Sequence, residues 1–383
     1  MQIIPKKTAS VETHWKKELA NTFNDLYELL NFLQIKEKNI PLAYRQRIEC
    51  LAAESDSENN NIHTFNGKTQ NKNTINIQPS QSIINKHNGA RKLFPMRVPR
   101  PFAALMEKGN WHDPLLQQVI PQNAEFEERV GFVSDPLEEQ NGSVEGLIHK
   151  YKSRVLIVVK GGCAVNCRYC FRRHFPYQSN QLNKKKYEQI LDYIRNDTHI
   201  NEVILSGGDP LMAKDEHLSW LIHELNQINN IKRIRVHTRL PVVIPSRIND
   251  EFISVVSSCS SKLIMVLHIN HPNEISDELK SKMDWLKQNN VTLLNQSVLL
   301  AGINNNANVL SELSEALFAT NILPYYLHLL DPVKGASHFD VNKNDARQIM
   351  SELYNTLPGF LVPKLVQELP NRKSKTPIDL GLE

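Results

Sequence analysis

No window of this 383-residue sequence approaches the roughly 20 uninterrupted apolar residues that a membrane span needs. The amino terminus, MQIIPKKTASVE, lacks the apolar h-region and the cleavage site of a secretory signal. Charge of one sign is lacking too. Lys plus Arg number 45 and Asp plus Glu 41, a formal net charge of +4, and the basic residues are scattered, so no nucleic-acid footprint is expected. Cysteine is scarce. Five residues, an odd number with three of them inside eight positions, argue against a secreted disulfide framework and for metal or redox chemistry. The expected location is the cytoplasm, with no membrane and no nucleic acid as partner. Cys50 and Cys259 stand alone and read as small hydrophobes.

Apolar residues make up 40% of the chain, enough for a sizeable core, and the length suits a catalytic domain with a helical extension. Residues 13–35 set Trp15, Leu19, Phe23, Leu26, Leu30 and Leu33 at helical spacing. Residues 55–88 are rich in Asn, Gln, Ser and Thr and nearly free of aromatics, which reads as a low-complexity insertion unable to offset its ordering entropy. Ordered sequence is expected again from residue 90.

From residue 154 the pattern turns regular. Apolar, β-branched runs at 154–159, 202–206, 234–238, 262–270, 292–299 and 323–330 alternate with helical stretches such as 214–229 and 342–357. Such alternation predicts parallel strands joined by helical crossovers, either an open doubly wound sheet or a barrel short of the usual eight units. In both, the site belongs at the carboxyl ends of the strands. Polar residues fall there: Cys163, SGGDP (206–210), His237 with Arg239, His268 with Asn270 and His271, Asn295 with Gln296, and Asp331. A lone case would read as a satisfied core group, but six in register favour one large site.

The stretch GGCAVNCRYCFRRHF, residues 161–175, spaces Cys163, Cys167 and Cys170 as C-x3-C-x2-C after the first strand. Thiolates are soft ligands that suit iron–sulfur clusters or zinc. Closed clusters and structural zinc sites use four protein ligands. The nearest fourth candidate is His174, and there is no second cysteine pair. Three thiolates on a four-iron cluster leave one iron open to a small molecule.

This cysteine spacing in this place resembles the radical S-adenosylmethionine superfamily. The resemblance implies an α/β fold, a partial (β/α)6 barrel, with a 4Fe-4S cluster on Cys163, Cys167 and Cys170. It implies S-adenosyl-L-methionine on the open iron, cleaved to a 5′-deoxyadenosyl radical, and sets Ser206, Gly207, Gly208 and Asp209 at the methionine end of that cofactor. From about residue 90 the likeness narrows. RVPRPFAALMEKGNWHDPLLQQV, DPLEEQ, HKYKSRVL, CRYCFRRHF, HINHPNEI, NQSVLLAGIN and SKTP together resemble the lysine 2,3-aminomutase family. Within it they are most similar to the bacterial branch that supplies β-lysine for modifying elongation factor P.

The family resemblance implies an isomerase that moves the amino group of L-lysine from C2 to C3, with the substrate held as an aldimine of pyridoxal 5′-phosphate (PLP). Lys375 matches the PLP lysine, with Lys373 the competing choice. Lys150 and Arg154 match contacts to the PLP phosphate, and Arg172 the contact to the substrate carboxylate. Asp331 and Glu368 match the acids for the distal ammonium; Glu368 stands where aspartate is usual and reaches one methylene further. His268 and Gln296 match positions lining the S-adenosylmethionine site. Arg173 reads as a surface charge, Asn270 and His271 as caps of the following helix, and His328 carries no readable role.

The resemblance further implies flavodoxin or ferredoxin as electron donor and a functional link to an elongation factor P lysine ligase. The chain ends eight residues after Lys375 without the cysteines of a structural zinc, so no zinc and a monomer or homodimer are expected. The expected division is residues 1–150 as helical extension with the insertion, 151–357 as barrel, and 358–383 as the PLP-lysine segment. Three other readings stand beside this one, one of them a retained fold with degraded activity whose only support is Glu368. A glutamate aminomutase would need a cation where Asp331 and Glu368 stand. A zinc-stabilised binding protein would be colourless and free of PLP absorbance.

Overall fold

The computed structural model describes residues 14–40, 94–139, 144–177 and 182–381. The insertion read at 55–88, and Cys50, lie outside them. Residues 13–35 do not form one helix. Helix α1 (His14–Ala20) ends before a short strand β1 (Thr22–Phe23), and α2 (Leu26–Phe32) follows. The break has two causes. Asp25 caps α2 by accepting from the amides of Tyr27 and Glu28, and β1 pairs antiparallel with β2 (Val98–Pro99). Trp15, Phe23, Leu26, Leu30 and Leu33 are buried all the same, so the apolar spacing marked the right face of a broken element.

All six strands read from the sequence form. They are β4 (Arg154–Lys160), β5 (Glu202–Gly207), β6 (Arg233–Thr238), β7 (Lys262–Leu267), β8 (Thr292–Val298) and β9 (Leu323–His328), each parallel to the next. The sheet extends past both ends of that run. β3 (Leu147–Tyr151) adds antiparallel to β4, β10 (Lys364–Gln367) adds parallel to β9, and β11 (Thr376–Pro377) folds back antiparallel on β10. The order is therefore β11-β10-β9-β8-β7-β6-β5-β4-β3, nine strands among the described residues, covered by helices as in a partial α/β barrel.

The crossover helices are α3 (Lys184–Asn196), α4 (Asp215–Asn226), α5 (Asp250–Ser257), α6 (Asp277–Gln288), α7 (Ala307–Ala319) and α8 (Lys343–Thr356). Each buries one apolar stripe against the sheet. In α4 it is Leu218, Leu221, Ile222 and Leu225; in α8 it is Ala346, Ile349, Met350 and Leu353. Asn183, Asn249, Asn306 and Asn342 cap α3, α5, α7 and α8 by accepting from first-turn amides, which gives the asparagine-rich sequence a structural use. Strand β5 is buried along its whole length, which explains its continuous apolar run. The polar exceptions cluster where the strands end.

Candidate active site

A cavity of about 230 Å³ opens at the carboxyl ends of β4 to β10. Every strand of that run, or the residue directly after it, contributes. Of the residues read from the sequence, Arg154, the three cysteines, Arg172, Ser206 to Asp209, His268, Gln296, Asp331, Glu368 and Lys375 line it; Lys150 stands behind the wall.

Cys163, Cys167 and Cys170 are free thiols on the loop after β4. Burial pushes Cys163 up, and burial with the neighbouring Cys167 charge pushes Cys170 up to about 11. Such thiols ionise when a metal replaces their protons. Among the described residues, no three His, Cys, Asp or Glu side chains converge on a single-ion site. Three thiols around one wall suit instead a cluster in which each thiolate meets a different iron. His174 turns away from them and contacts the Lys334 carbonyl at 3.0 Å, so it is no fourth ligand here.

The SGGDP turn is packed for glycine. A Cβ on Gly208 would lie 2.6 Å from the Gly162 carbonyl oxygen, and Gly207 holds φ +122. The turn thus lies directly against the backbone that leads into Cys163. Asp209 is occupied within the protein. It accepts from the amides of Leu211, Arg239 and Leu240 and from the Thr238 hydroxyl. Its carboxylate fastens the β5 and β6 loops together, and the backbone of Ser206, Gly207 and Gly208 remains the cavity-facing part.

The far end of the cavity holds Lys375, Glu368 and Asp331. Lys375 donates to Glu368 Oε2 at 2.5 Å, and its ammonium lies 5.7 Å from the centre of the Tyr326 ring. Lys373, the competing choice, is exposed and outside the cavity. Glu368 also accepts from the Tyr151 hydroxyl at 3.0 Å and pairs with Lys150 at 3.8 Å. Burial raises its carboxyl, but the Lys375 charge and hydrogen bond outweigh burial and hold it at about 2. Asp331 shows the opposite balance. Burial, helped by the Glu368 charge, lifts it to about 7. Its Oδ1 is closed off from solvent and has no hydrogen-bond partner among the described residues.

Several cavity residues carried no role in the sequence reading. Glu139 bridges two cations, accepting from Arg172 Nε at 2.8 Å and pairing with Lys150 at 3.1 Å. It lies in the DPLEEQ stretch, and nothing in its own spacing marks it. Arg172 also reaches the Gly207 carbonyl at 3.3 Å, which aims its guanidinium along the cysteine loop. Arg154 stacks 4.1 Å from the centre of the Tyr151 ring. Gln296 Nε2 and His268 Nε2 lie 2.7 Å apart, so that imidazole nitrogen accepts; burial holds His268 at about 3, in agreement with a neutral ring. His237 and His328, also pushed down chiefly by burial, each leave Nε2 without a partner among the described residues. Unpaired buried polar atoms are costly unless a ligand meets them, so His237, His328 and Asp331 mark where polar ligand groups belong.

Three expectations are corrected. Arg173 is no surface charge: it is buried and donates to Glu125 at 2.5 Å and to the Gly335 carbonyl at 2.8 Å. Asn270 is no helix cap. It is buried, donates to Gln118 at 3.0 Å and to Tyr169 at 2.7 Å, and accepts from the Val298 amide. Asn295 points away from the cavity and ties β8 to the Ile269 backbone. His271 does cap, accepting from the Asn273 amide into the short turn Pro272–Glu274.

Residues 157–306 match the profile of the radical SAM superfamily. The chain is 51% identical over 308 residues to the L-lysine 2,3-aminomutase of Escherichia coli (strain K12), covering 80% of this chain and 90% of that protein. It is 55% identical over 288 residues to the L-lysine 2,3-aminomutase of Haemophilus influenzae, covering 75% and 85%. Among solved structures, a radical SAM methyltransferase from Sphaerobacter thermophilus is similar at TM-score 0.42 and 17% identity, over 58% of this chain and 68% of that one.

Proposed function

This chain belongs to the L-lysine 2,3-aminomutase family of radical SAM enzymes, and we propose that it converts L-lysine to β-lysine within the cavity described above. The family's cofactors are a 4Fe-4S cluster, S-adenosyl-L-methionine and PLP. When bound, the first two supply a carbon-centred hydrogen abstractor, and PLP supplies the carbonyl that carries the α-amino group. The residues present fit these groups: three free thiols, a glycine turn open to the cavity, and a lysine at its far end.

In this assignment Cys163, Cys167 and Cys170 hold the cluster. Ser206, Gly207 and Gly208, with His268 and Gln296, line the S-adenosylmethionine site, and Asp209 holds that turn in place. Lys375 is the PLP lysine, with Arg154 and Lys150 for the phosphate. Arg172 receives the substrate carboxylate, its charge fixed in direction by Glu139. Asp331 receives the distal ammonium, and Glu368, already holding Lys375, is the second acid of that pocket. Both acids oppose a glutamate substrate. The strands on one side and the loops on the other exclude water and unwanted hydrogen donors from the reacting carbon.

The observation that carries this reading is the meeting, in one cavity, of the three thiols with Lys375 and its two carboxylates. The test is anaerobic reconstitution with iron and sulfide, then PLP, S-adenosylmethionine, dithionite and L-lysine, with β-lysine read by mass spectrometry. The reading requires β-lysine that disappears in Cys167→Ala and in Lys375→Ala. S-adenosylmethionine cleavage without β-lysine would remove lysine as substrate, and a colourless zinc protein would remove the enzyme.

The product's use follows from likeness to the bacterial branch of the family. β-Lysine would pass to a lysine ligase that modifies elongation factor P, and the electron would come from flavodoxin or ferredoxin. Among the described residues no helix is long and apolar enough to cross a membrane. Co-expression with such a ligase tests the link: elongation factor P must gain the mass of β-lysine only when this chain is active. The proposed division is an extension over 1–150, the barrel over 151–357 and the PLP-lysine segment over 358–383.

A further inference from the structure

Arg239, the first residue after β6, reaches across the cavity floor to the cysteine loop. Its Nη1 donates to Cys167 Sγ at 2.7 Å and also contacts the Tyr169 hydroxyl. Among the described residues no other cationic side chain hydrogen-bonds a sulfur of the three-thiol loop. The guanidinium is buried, 6% exposed, and held from behind. Nη2 donates to Glu274 Oε2 at 2.9 Å and to Gln118 Oε1 at 2.8 Å, while the Arg239 amide donates to Asp209 at 2.8 Å. Glu274 is fixed in turn by the amides of Asn270 and His271. The carboxylate thus faces one edge of the guanidinium and the sulfur faces another, so the pole nearest the thiol is positive.

We propose that Arg239 is a positioning residue that sets the reduction potential of the iron–sulfur cluster by holding a fixed cation and a hydrogen bond on the Cys167 sulfur. The inference rests on the assignment of Cys163, Cys167 and Cys170 to that cluster. Reduction adds one electron from a low-potential donor of the flavodoxin or ferredoxin class, breaks no bond, and lowers the cluster's charge by one. A hydrogen bond to a ligand sulfur and a nearby cation both favour the more negative state, so both raise the potential. The effect is strengthened because the guanidinium is desolvated. An arginine that only tied the β6 loop to the cysteine loop would alter stability and leave the potential where it was.

The experiment is a redox titration of the reconstituted protein without PLP or lysine, with dithionite and mediators, following the electron paramagnetic resonance signal of the reduced cluster. In Arg239→Gln the equilibrium constant for one-electron reduction is expected to fall about tenfold, a shift of about 59 mV to more negative potential. An unchanged potential in a variant that retains its cluster overturns the proposal. Should Arg239→Gln lose the cluster, Glu274→Gln decides. It leaves Arg239 in place and removes its counter-charge, so the potential moves upward; an unchanged or lower value overturns the proposal. A parent protein that takes up no cluster fails differently, because it removes the cysteine assignment itself and this inference with it.

Discussion

The ammonium of Lys375 lies 2.5 Å from Glu368 Oε2, and the two residues face each other where the β10–β11 hairpin opens into its loop. The pairing of Gln367 with Thr376 brings them together, so the hairpin register itself delivers the lysine to the cavity. Lys375→Ala should therefore lose turnover by roughly 10³-fold or more, the scale of losing a covalent anchor. It should also retain no PLP after gel filtration, read as loss of the bound cofactor's absorbance. Lys373→Ala, on an exposed residue two positions away, should keep both.

Asp331 offers a pH signature. With its carboxyl at about 7, it is largely neutral in mild acid and receives an ammonium poorly there. The KM for lysine should fall as pH rises through about 7. Asp331→Asn should raise KM roughly 10- to 100-fold, the size of a charge-assisted hydrogen bond, and flatten the dependence. The stability of the cofactor-free protein runs the other way. A carboxyl raised on folding stabilises fully below its ordinary value and loses that contribution as pH climbs through about 7. Denaturant midpoints across this range should slope downward from this group, and Asp331→Asn should remove that part of the slope. Glu368, held at about 2, contributes stability above the ordinary carboxylate value that is lost as pH falls toward 2.

Gly208→Ala tests the packing behind the cysteine loop. The new Cβ would press on the Gly162 carbonyl oxygen, a backbone atom one residue before Cys163. Overpacking of this kind costs about 1–3 kcal/mol. The denaturant midpoint should drop accordingly, and iron retained per chain after reconstitution should fall with it.

Glu125→Ala tests a buried site outside the cavity lining. Its carboxylate is enclosed between Arg168 and Arg173, all three nearly free of solvent contact. Removing it takes the shared carboxylate from two buried cations, which costs about 3–5 kcal/mol. A loss under about 1 kcal/mol in chemical denaturation would sink that account, since exposed ion pairs give values that small.

The central strands were legible where burial on both faces writes continuous apolar runs into the sequence, as in β5, while β8 and β9 showed only as shorter apolar stretches with one face buried less. The cysteine loop was legible from its spacing alone. The edges of the sheet were not. β10 and β11 hold four and two residues, too few to show a period. The break at Asn21 was hidden because both helices bury the same apolar face, and only the cap at Asp25 marks it. The burial of Arg173 could not be read at all. Its partner Glu125 stands 48 positions earlier, and such a pair exists only once the chain has folded. Glu139 escaped for the same reason, since its partners Lys150 and Arg172 come together only across the sheet edge.

The hairpin that carries Lys375 and Glu368 joins the sheet through β10, by pairs from Lys364↔Tyr326 to Val366↔His328, and meets β3 through the contacts of Glu368 with Tyr151 and Lys150. The thiols sit on β4's loop, six strands away in sheet order. The proposed cluster ligands and the proposed PLP lysine thus come from distant stretches of sequence that meet only once the sheet has curled around the cavity.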